Sequence, residues 1–74
     1  MKIKSIGKNQ TILTIGNNEI FFSYETPVAG NIDGKFYQTN TKWSATTTRH
    51  INKYLDGTEA KLMDQGFFDN LISK

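Results

Sequence analysis

The chain has 74 residues, of which 36% are hydrophobic, 12% aromatic and 22% charged, and it carries a formal net charge of +2. A chain of this length forms one domain at most, and its composition is typical of a folded protein rather than a disordered one. Because the chain contains no cysteine, disulfide bonds and thiolate metal sites are excluded.

The first 40 residues have the pattern of short β-strands. The stretches QTILTI and EIFFSY are rich in β-branched and aromatic residues, and residues 16–18 (GNN) predict a hairpin turn between them because Gly and Asn accept positive φ. MKIKSI predicts an earlier strand whose lysines suit a sheet edge. A second turn at residues 31–34 precedes the strand KFYQTN. We therefore expect an antiparallel meander of four or five strands.

The pattern changes to helical spacing after residue 43. Ser44 or Thr46 is expected to cap a helix, because a hydroxyl can satisfy a free N–H of the first turn. Residues of one helix face then recur every four positions, at Thr47, Ile51 and Leu55. The later stretch QGFFDNLIS predicts another helix, whose apolar stripe comprises Phe67, Phe68, Leu71 and Ile72.

Together these segments predict a single α+β domain over residues 1–74. Residues 1–40 would form the β-meander and residues 44–73 the helical part, with two or three helices packed on one face of a small antiparallel sheet. The first ten residues lack the apolar run of a signal peptide, and nowhere do about 18 apolar residues follow one another. We therefore expect no membrane association and a protein that stays in the compartment where it is made.

Groups suited to catalysis or metal binding are scarce. The chain has one histidine, no cysteine and no Gly-x-Ser-x-Gly motif, so the sequence places no nucleophile beside a base. A lone histidine among scattered carboxylates lacks the ligand spacing of a zinc site, and no acidic calcium loop is present. We expect no catalytic residue, no metal and no cofactor. An enzyme would require a pocket that converges on His50.

The stretch TKWSATTTRHINKYL (41–55) holds the only Trp, His and Arg of the chain. Arg49 and Lys53 are four residues apart, so they lie one turn apart on the exposed side of the predicted helix. With Lys42 and Trp43 before the helix, they predict a binding face, because basic groups contact phosphates and an indole stacks on a base. In the alternative interpretation, the charged side chains are ordinary solvated surface groups, and Trp43 packs at the junction between strand and helix.

Two separated stretches, FSYETPVAG (22–30) and KWSATTTRHINKYL (42–55), carry motifs that agree in order and spacing with a known pattern. The pattern is Ser-Tyr-x-Thr-Pro-Val-Ala followed by Trp-Ser-x-Thr-Thr-x-Arg-His-Ile-Asn. It resembles a family of small uncharacterised proteins that is common in bacteriophage genomes, and the later stretch DQGFFDNL resembles that family's C-terminal ending. The resemblance covers roughly residues 13–72 and implies a phage or prophage origin.

The matching positions are mostly Ser, Thr, His and Asn rather than Lys, which favours a structural role for part of the motif. We hypothesise a hydrogen-bonded polar joint between the second hairpin and the helix. Its expected members are Tyr24, Thr26, Ser44, Thr47 and His50.

Small phage accessory proteins commonly bind and block host enzymes or defence nucleases. By that analogy, our first hypothesis is a non-catalytic phage accessory protein that binds and blocks a host or anti-phage defence protein in the host bacterial cytoplasm, as a monomer or a homodimer. The expected contact surface comprises Lys42, Trp43, Arg49 and Lys53. The alternative is a nucleic-acid-binding module that uses the same basic face around residues 42–53. A steep loss of affinity with salt would distinguish it, because phosphate contacts release counterions.

Overall fold

The computed structural model describes residues 2–72, which form one six-stranded sheet and two helices. The strands lie in the sheet in chain order, so each strand is hydrogen-bonded to the one before it. The elements are β1 (Lys2–Gly7), β2 (Gln10–Ile15), β3 (Asn18–Ser23), β4 (Thr26–Ile32), β5 (Lys35–Thr39), α1 (Ala45–Leu55), β6 (Lys61–Met63) and α2 (Gln65–Ile72).

The α+β class is confirmed, and the first five strands form the expected antiparallel meander. The expectation of four or five strands in a purely antiparallel sheet is wrong, because a sixth strand, β6, pairs with β5 in parallel. The helix α1 carries the chain from the end of β5 back to the start of β6, and such a crossover returns the chain in the same direction. The segment 44–73, expected to be helical, therefore contains a strand.

The turn between β4 and β5 illustrates how local residues set the meander. Asp33 and Gly34 form a two-residue loop, with φ values of 53° and 84°. Positive φ at both positions is the signature of a type I′ turn, whose twist matches that of the flanking strands. Gly34 accepts this conformation without a steric penalty because it has no Cβ.

The two helices cover opposite faces of the sheet. Phe36 and Tyr37 are neighbours in β5 and therefore point to opposite faces. The Phe36 ring lies 6.2 Å from the Tyr54 ring of α1, whereas the Tyr37 ring lies 5.2 Å from the Phe67 ring of α2. The expectation that the helices share one face is therefore wrong. We call the two sides the α1 face and the α2 face.

The main core lies between α1 and the sheet. The Phe21 ring of β3 stacks on the Tyr54 ring of α1, with centroids 4.6 Å apart. Burial of such rings and aliphatic groups removes apolar surface from water at roughly 25 cal/mol per Å². The buried cluster comprises Phe21, Val28, Ala29, Ile51 and Leu55.

Each helix begins at a side-chain cap. Ser44 is the N-cap of α1, since its Oγ accepts a hydrogen bond from the Thr47 N–H at 3.3 Å. At α2, the Asp64 carboxylate accepts from the Phe67 N–H at 3.0 Å. Both caps satisfy N–H groups that the first helical turn leaves free. Among residues 2–72, neither helix has the length and apolarity needed to cross a membrane.

Candidate functional site

The predicted basic residues are exposed but do not all meet in one patch. Arg49 and Lys53 lie one turn apart on the exposed side of α1. Lys42 instead lines a hollow beside Thr48 and Asn52. Because each residue rotates the helix by about 100°, Lys53 points away from the flank that Lys42 approaches. Lys42 and Lys53 therefore lie on different sides of α1.

Trp43 lies at the junction of β5, α1 and α2. Its side chain is 43% exposed, so the indole is neither fully in the core nor free in solvent. The indole Nε1 donates a hydrogen bond to Gln65 Oε1 at 3.3 Å. Part of the ring surface is therefore accessible, whereas the indole N–H is already engaged in a hydrogen bond within the chain.

Gln65, the first residue of α2, connects three parts of the chain. Its Oε1 accepts from Thr39 Oγ1 at 3.0 Å and from the Trp43 indole. Its Nε2 donates to the Pro27 carbonyl oxygen at 2.7 Å and to Asp69 Oδ1 at 3.2 Å. Two accepted and two donated bonds use the full capacity of a side-chain amide. Sequence reasoning missed Gln65, because one glutamine at a helix start carries no distinguishing pattern.

The structure brings most of the expected polar joint together around Ser23. The Ser23 Oγ lies 2.8 Å from His50 Nδ1 and 3.1 Å from Thr47 Oγ1. Ser44 Oγ extends this chain to Thr47 Oγ1 at 3.4 Å, and the Tyr24 ring lies 5.9 Å from the His50 ring. Ser23 was missed, although its alternation with Phe21 along β3 placed it on the α1 face.

A cavity of about 230 Å³ lies at this joint, between the two motifs that the sequence singled out. It is smaller than the 300–1,000 Å³ that is usual for small-molecule sites. Thr26 lines this cavity, and His50 is not among its lining residues. The lining comprises Ser23, Tyr24, Thr26, Val28, Trp43, Ser44 and Thr47.

Tyr24 has an unusual backbone conformation in the turn between β3 and β4. Its φ is 59°, a left-handed value that costs a residue with a Cβ roughly 1–2 kcal/mol. The Tyr24 N–H donates to the Asn9 carbonyl oxygen at 2.7 Å, which ties this turn to the turn between β1 and β2. The ring is 49% exposed. Such retained strain favours a functional hypothesis for the surface where the ring lies.

An apolar row crosses the α2 face and extends beyond α2. Ile3, Leu13 and Ile20 are directly paired across β1, β2 and β3, and the row continues through Gly30 to Tyr37. The Tyr37 end lies under α2, and Ile20 is 2% exposed. Ile3, at the other end, is 74% exposed. The helix therefore covers one part of the row and leaves the other in water.

This uncovered part forms a groove of about 270 Å³, which we call the open groove. Tyr24 lines both the open groove and the cavity at the polar joint. The groove borders β1, the edge strand of the sheet, in which every residue from Lys2 to Ile6 is exposed. The residues that line the open groove are Ile3, Thr11, Leu13, Phe22, Tyr24 and Glu25.

A metal centre finds no support in the described part of the chain. Within residues 2–72, no three or more His, Cys, Asp or Glu side chains are grouped so that they could hold a metal ion. The carboxylate of Glu19 is used differently, as it accepts a hydrogen bond from the Tyr54 hydroxyl at 2.8 Å.

Comparison with protein-family models identifies the family to which the chain belongs. Residues 1–70 match the model of a family described as a family of unknown function (DUF8033). No match was found among curated proteins or among solved structures.

Proposed function

This chain belongs to the DUF8033 family of unknown function. We propose that it is a non-catalytic protein that binds another protein and blocks it by covering its surface. The observation that carries the proposal is the open groove beside the edge strand β1. Exposed apolar surface that is contiguous and bordered by polar groups is typical of protein interaction sites.

The burial of β1 supports this proposal. Every side chain from Lys2 to Ile6 is exposed, so this strand adds little to the core. Its Ile3 is 74% exposed although the same row is buried at Ile20. A partner that covers Ile3 and Leu13 would complete the row that α2 covers at its other end. The free energy of that burial would contribute to binding rather than to folding.

Non-catalytic action is supported by the surroundings of the one histidine. His50 is hydrogen-bonded through Nδ1 to Ser23, a residue that is only 2% exposed. A catalytic serine needs an accessible hydroxyl, and its histidine needs a third group that orients the other ring nitrogen. The Ser23–His50 pair fits a structural bond better than an activated nucleophile.

The biological setting rests on the sequence motifs. Their resemblance to bacteriophage proteins supports a role as a phage accessory protein in the cytoplasm of an infected bacterium. The partner would then be a host protein or an anti-phage defence protein.

A nucleic-acid-binding module is the second candidate. Arg49 and Lys53 favour it, because they are exposed and one turn apart on α1. The position of Lys42 on a different flank weakens it, since a phosphate backbone is followed best by a continuous row of charges.

Capture of the tagged chain from bacterial lysates, compared between two matched variants, tests the proposal. Ile3→Asp places a charge in the open groove, and Leu62→Asp places one on a similarly exposed residue (60%) at the opposite sheet edge, in β6. We expect one protein to be captured at both low and high salt by the wild type and by Leu62→Asp, and to be lost with Ile3→Asp.

Equal capture by both variants would contradict the use of the open groove. Nucleic acid captured only at low salt, and lost in the double variant Arg49→Glu, Lys53→Glu, would favour the second candidate instead.

A further inference from the structure

We propose that the partner binds by adding a strand to the outer edge of β1, and that this strand alternates acidic and apolar residues. The inference rests on the proposed function and specifies the chemistry of the partner segment. In such strand addition, backbone hydrogen bonds supply affinity, and side chains on alternate positions supply specificity.

The backbone of β1 is suited to this pairing. It is the first strand in the sheet order, so only one of its two edges is paired with a described strand. From Lys2 to Ser5 it runs in unbroken register with β2, and the irregularity comes only between Ser5 and Gly7. The other edge of the sheet, β6, has only three residues. The longer regular edge therefore lies next to the open groove.

The apolar half of the predicted pattern follows from Ile3. Residues paired directly across neighbouring strands lie on the same face of a sheet. A residue of the added strand opposite Ile3 would extend the row formed by Ile3, Leu13 and Ile20 on the α2 face. An apolar side chain there would cover Ile3, which is otherwise 74% exposed.

The acidic half follows from Lys2 and Lys4. These lysines pair with Thr14 and Ile12 of β2 and lie on the α1 face, opposite to Ile3. Both side chains are exposed. Carboxylates placed across from them would form opposite-charge pairs, each worth roughly 0.2–1 kcal/mol. The edge therefore selects acidic residues on one face and apolar residues on the other.

The same lysines disfavour a second copy of this chain as the occupant. An antiparallel β1–β1 pair centred on Ile3 would place Lys2 of one copy opposite Lys4 of the other. A pair centred on Lys4 would place the two Lys4 side chains opposite each other. Like charges in direct cross-strand contact are destabilising, so the edge repels itself and attracts an acidic strand.

Binding of two short peptides to the full chain tests this inference. One peptide alternates Asp and Val over seven residues, and the control alternates Lys and Val. Isotope-labelled protein is titrated with each, and backbone amide shifts and amide hydrogen exchange are followed by NMR. We expect the acidic peptide to shift and protect amides of β1, and the basic peptide to leave them unchanged.

Charge reversal provides the matched control. Lys4→Glu should weaken binding of the acidic peptide about tenfold, because an attractive pair becomes a repulsive one, and it should allow the basic peptide to bind. Lys35→Glu, at an exposed lysine in β5, should leave both affinities unchanged. Equal binding of the two peptides, protection away from β1, or no binding of the acidic peptide at millimolar concentration would overturn the inference.

Failure of this inference and failure of the proposed function are distinguishable. If Ile3→Asp abolishes capture of a protein while the peptides do not bind β1, the proposed function stands and strand addition fails. If Ile3→Asp leaves capture unchanged and the acidic peptide does not bind β1, both fail.

Discussion

Ser23 Oγ lies between His50 Nδ1 and Thr47 Oγ1, in a position that is 2% exposed. A hydrogen bond between neutral groups contributes only about 0.5–1.5 kcal/mol net, but a buried polar group that loses its partner costs about 1–3 kcal/mol. The Ser23 hydroxyl therefore links β3 to two side chains of α1.

Replacing Ser23 by Ala should therefore lower the free energy of unfolding by about 1–3 kcal/mol, because His50 and Thr47 both lose a partner in a buried site. Urea denaturation measures this difference. Ser5→Ala is the matched control: the Ser5 hydroxyl is exposed, and its loss should change stability by less than about 0.5 kcal/mol. If His50→Ala leaves thermal stability unchanged, the polar joint does not stabilise the fold.

Sequence reasoning found the members of the joint that carry recognisable chemistry. Ser44 indicates a helix start, and His50 is the one histidine of the chain. Ser23 begins the first motif but was not expected in the joint, because a serine that alternates with Phe21 in a strand is equally consistent with a solvated position. Only the approach of α1 to β3 decides that its hydroxyl is buried, and that approach depends on contacts distant in sequence.

At the scale of elements, α2 depends most on its surroundings. An isolated helix of eight residues is not stable in water, because nucleation costs more than so few turns return. The helix is held at its start by Gln65, which bonds to Pro27 and Thr39 in two strands, and further along by Phe68, which is fully buried. Its formation and its docking are therefore one event.

Gln65→Ala should loosen α2 and lower the free energy of unfolding by about 2–3 kcal/mol, since several polar groups lose their partner together. Because Trp43 donates to Gln65, its fluorescence should shift to longer wavelength as the indole becomes more hydrated. Asn70→Ala, an exposed amide in the same helix, should change neither stability nor emission. An unchanged emission in Gln65→Ala would contradict this arrangement.

The elements differ in how far the local sequence determines them. Most of the boundaries between β1 and β5 were predictable because turn-forming residues mark them, such as Asp33 and Gly34. The loop between β3 and β4 has no such signal, since it consists of Tyr24 and Glu25. The strand β6 was not, since Lys61–Met63 is too short for a periodic pattern, and its pairing depends on where α1 returns the chain. The stripe of α2 indicated a buried helix but could not indicate which face of the sheet it covers.

For the molecule as a whole, we expect one half-buried phenol, that of Tyr54, to make stability fall at alkaline pH. Burial raises the pKa of Tyr54 well above the ordinary tyrosine value, and its hydrogen bond to Glu19 and the charge of that carboxylate raise it further. The unfolded chain releases the same proton near pH 10. Because the unfolded state then binds fewer protons than the folded state, the free energy of unfolding falls as the pH rises above about 10.

Tyr54→Phe should test this assignment. Near pH 7 the variant should be less stable than the wild type by about 1 kcal/mol, the value of one hydrogen bond. Between pH 10 and 11 the difference should shrink by less than about 1 kcal/mol, because solvent screens a half-buried group. Denaturation curves of both proteins between pH 7 and 11 measure it. A difference that stays constant above pH 10 would assign the pH dependence to another group.

The position of α2 has a consequence for the chain while it is being made. The strands β1 to β5 leave the ribosome first, and residues 65–72 follow only after α1 and β6. At about 5–20 residues per second, the side of the sheet that carries Ile20 and Tyr37 waits for its cover for roughly two to seven seconds. During that interval the apolar side chains of the α2 face that α2 later covers stay exposed on the nascent protein, and translation speed through α1 and β6 sets how long that exposure lasts.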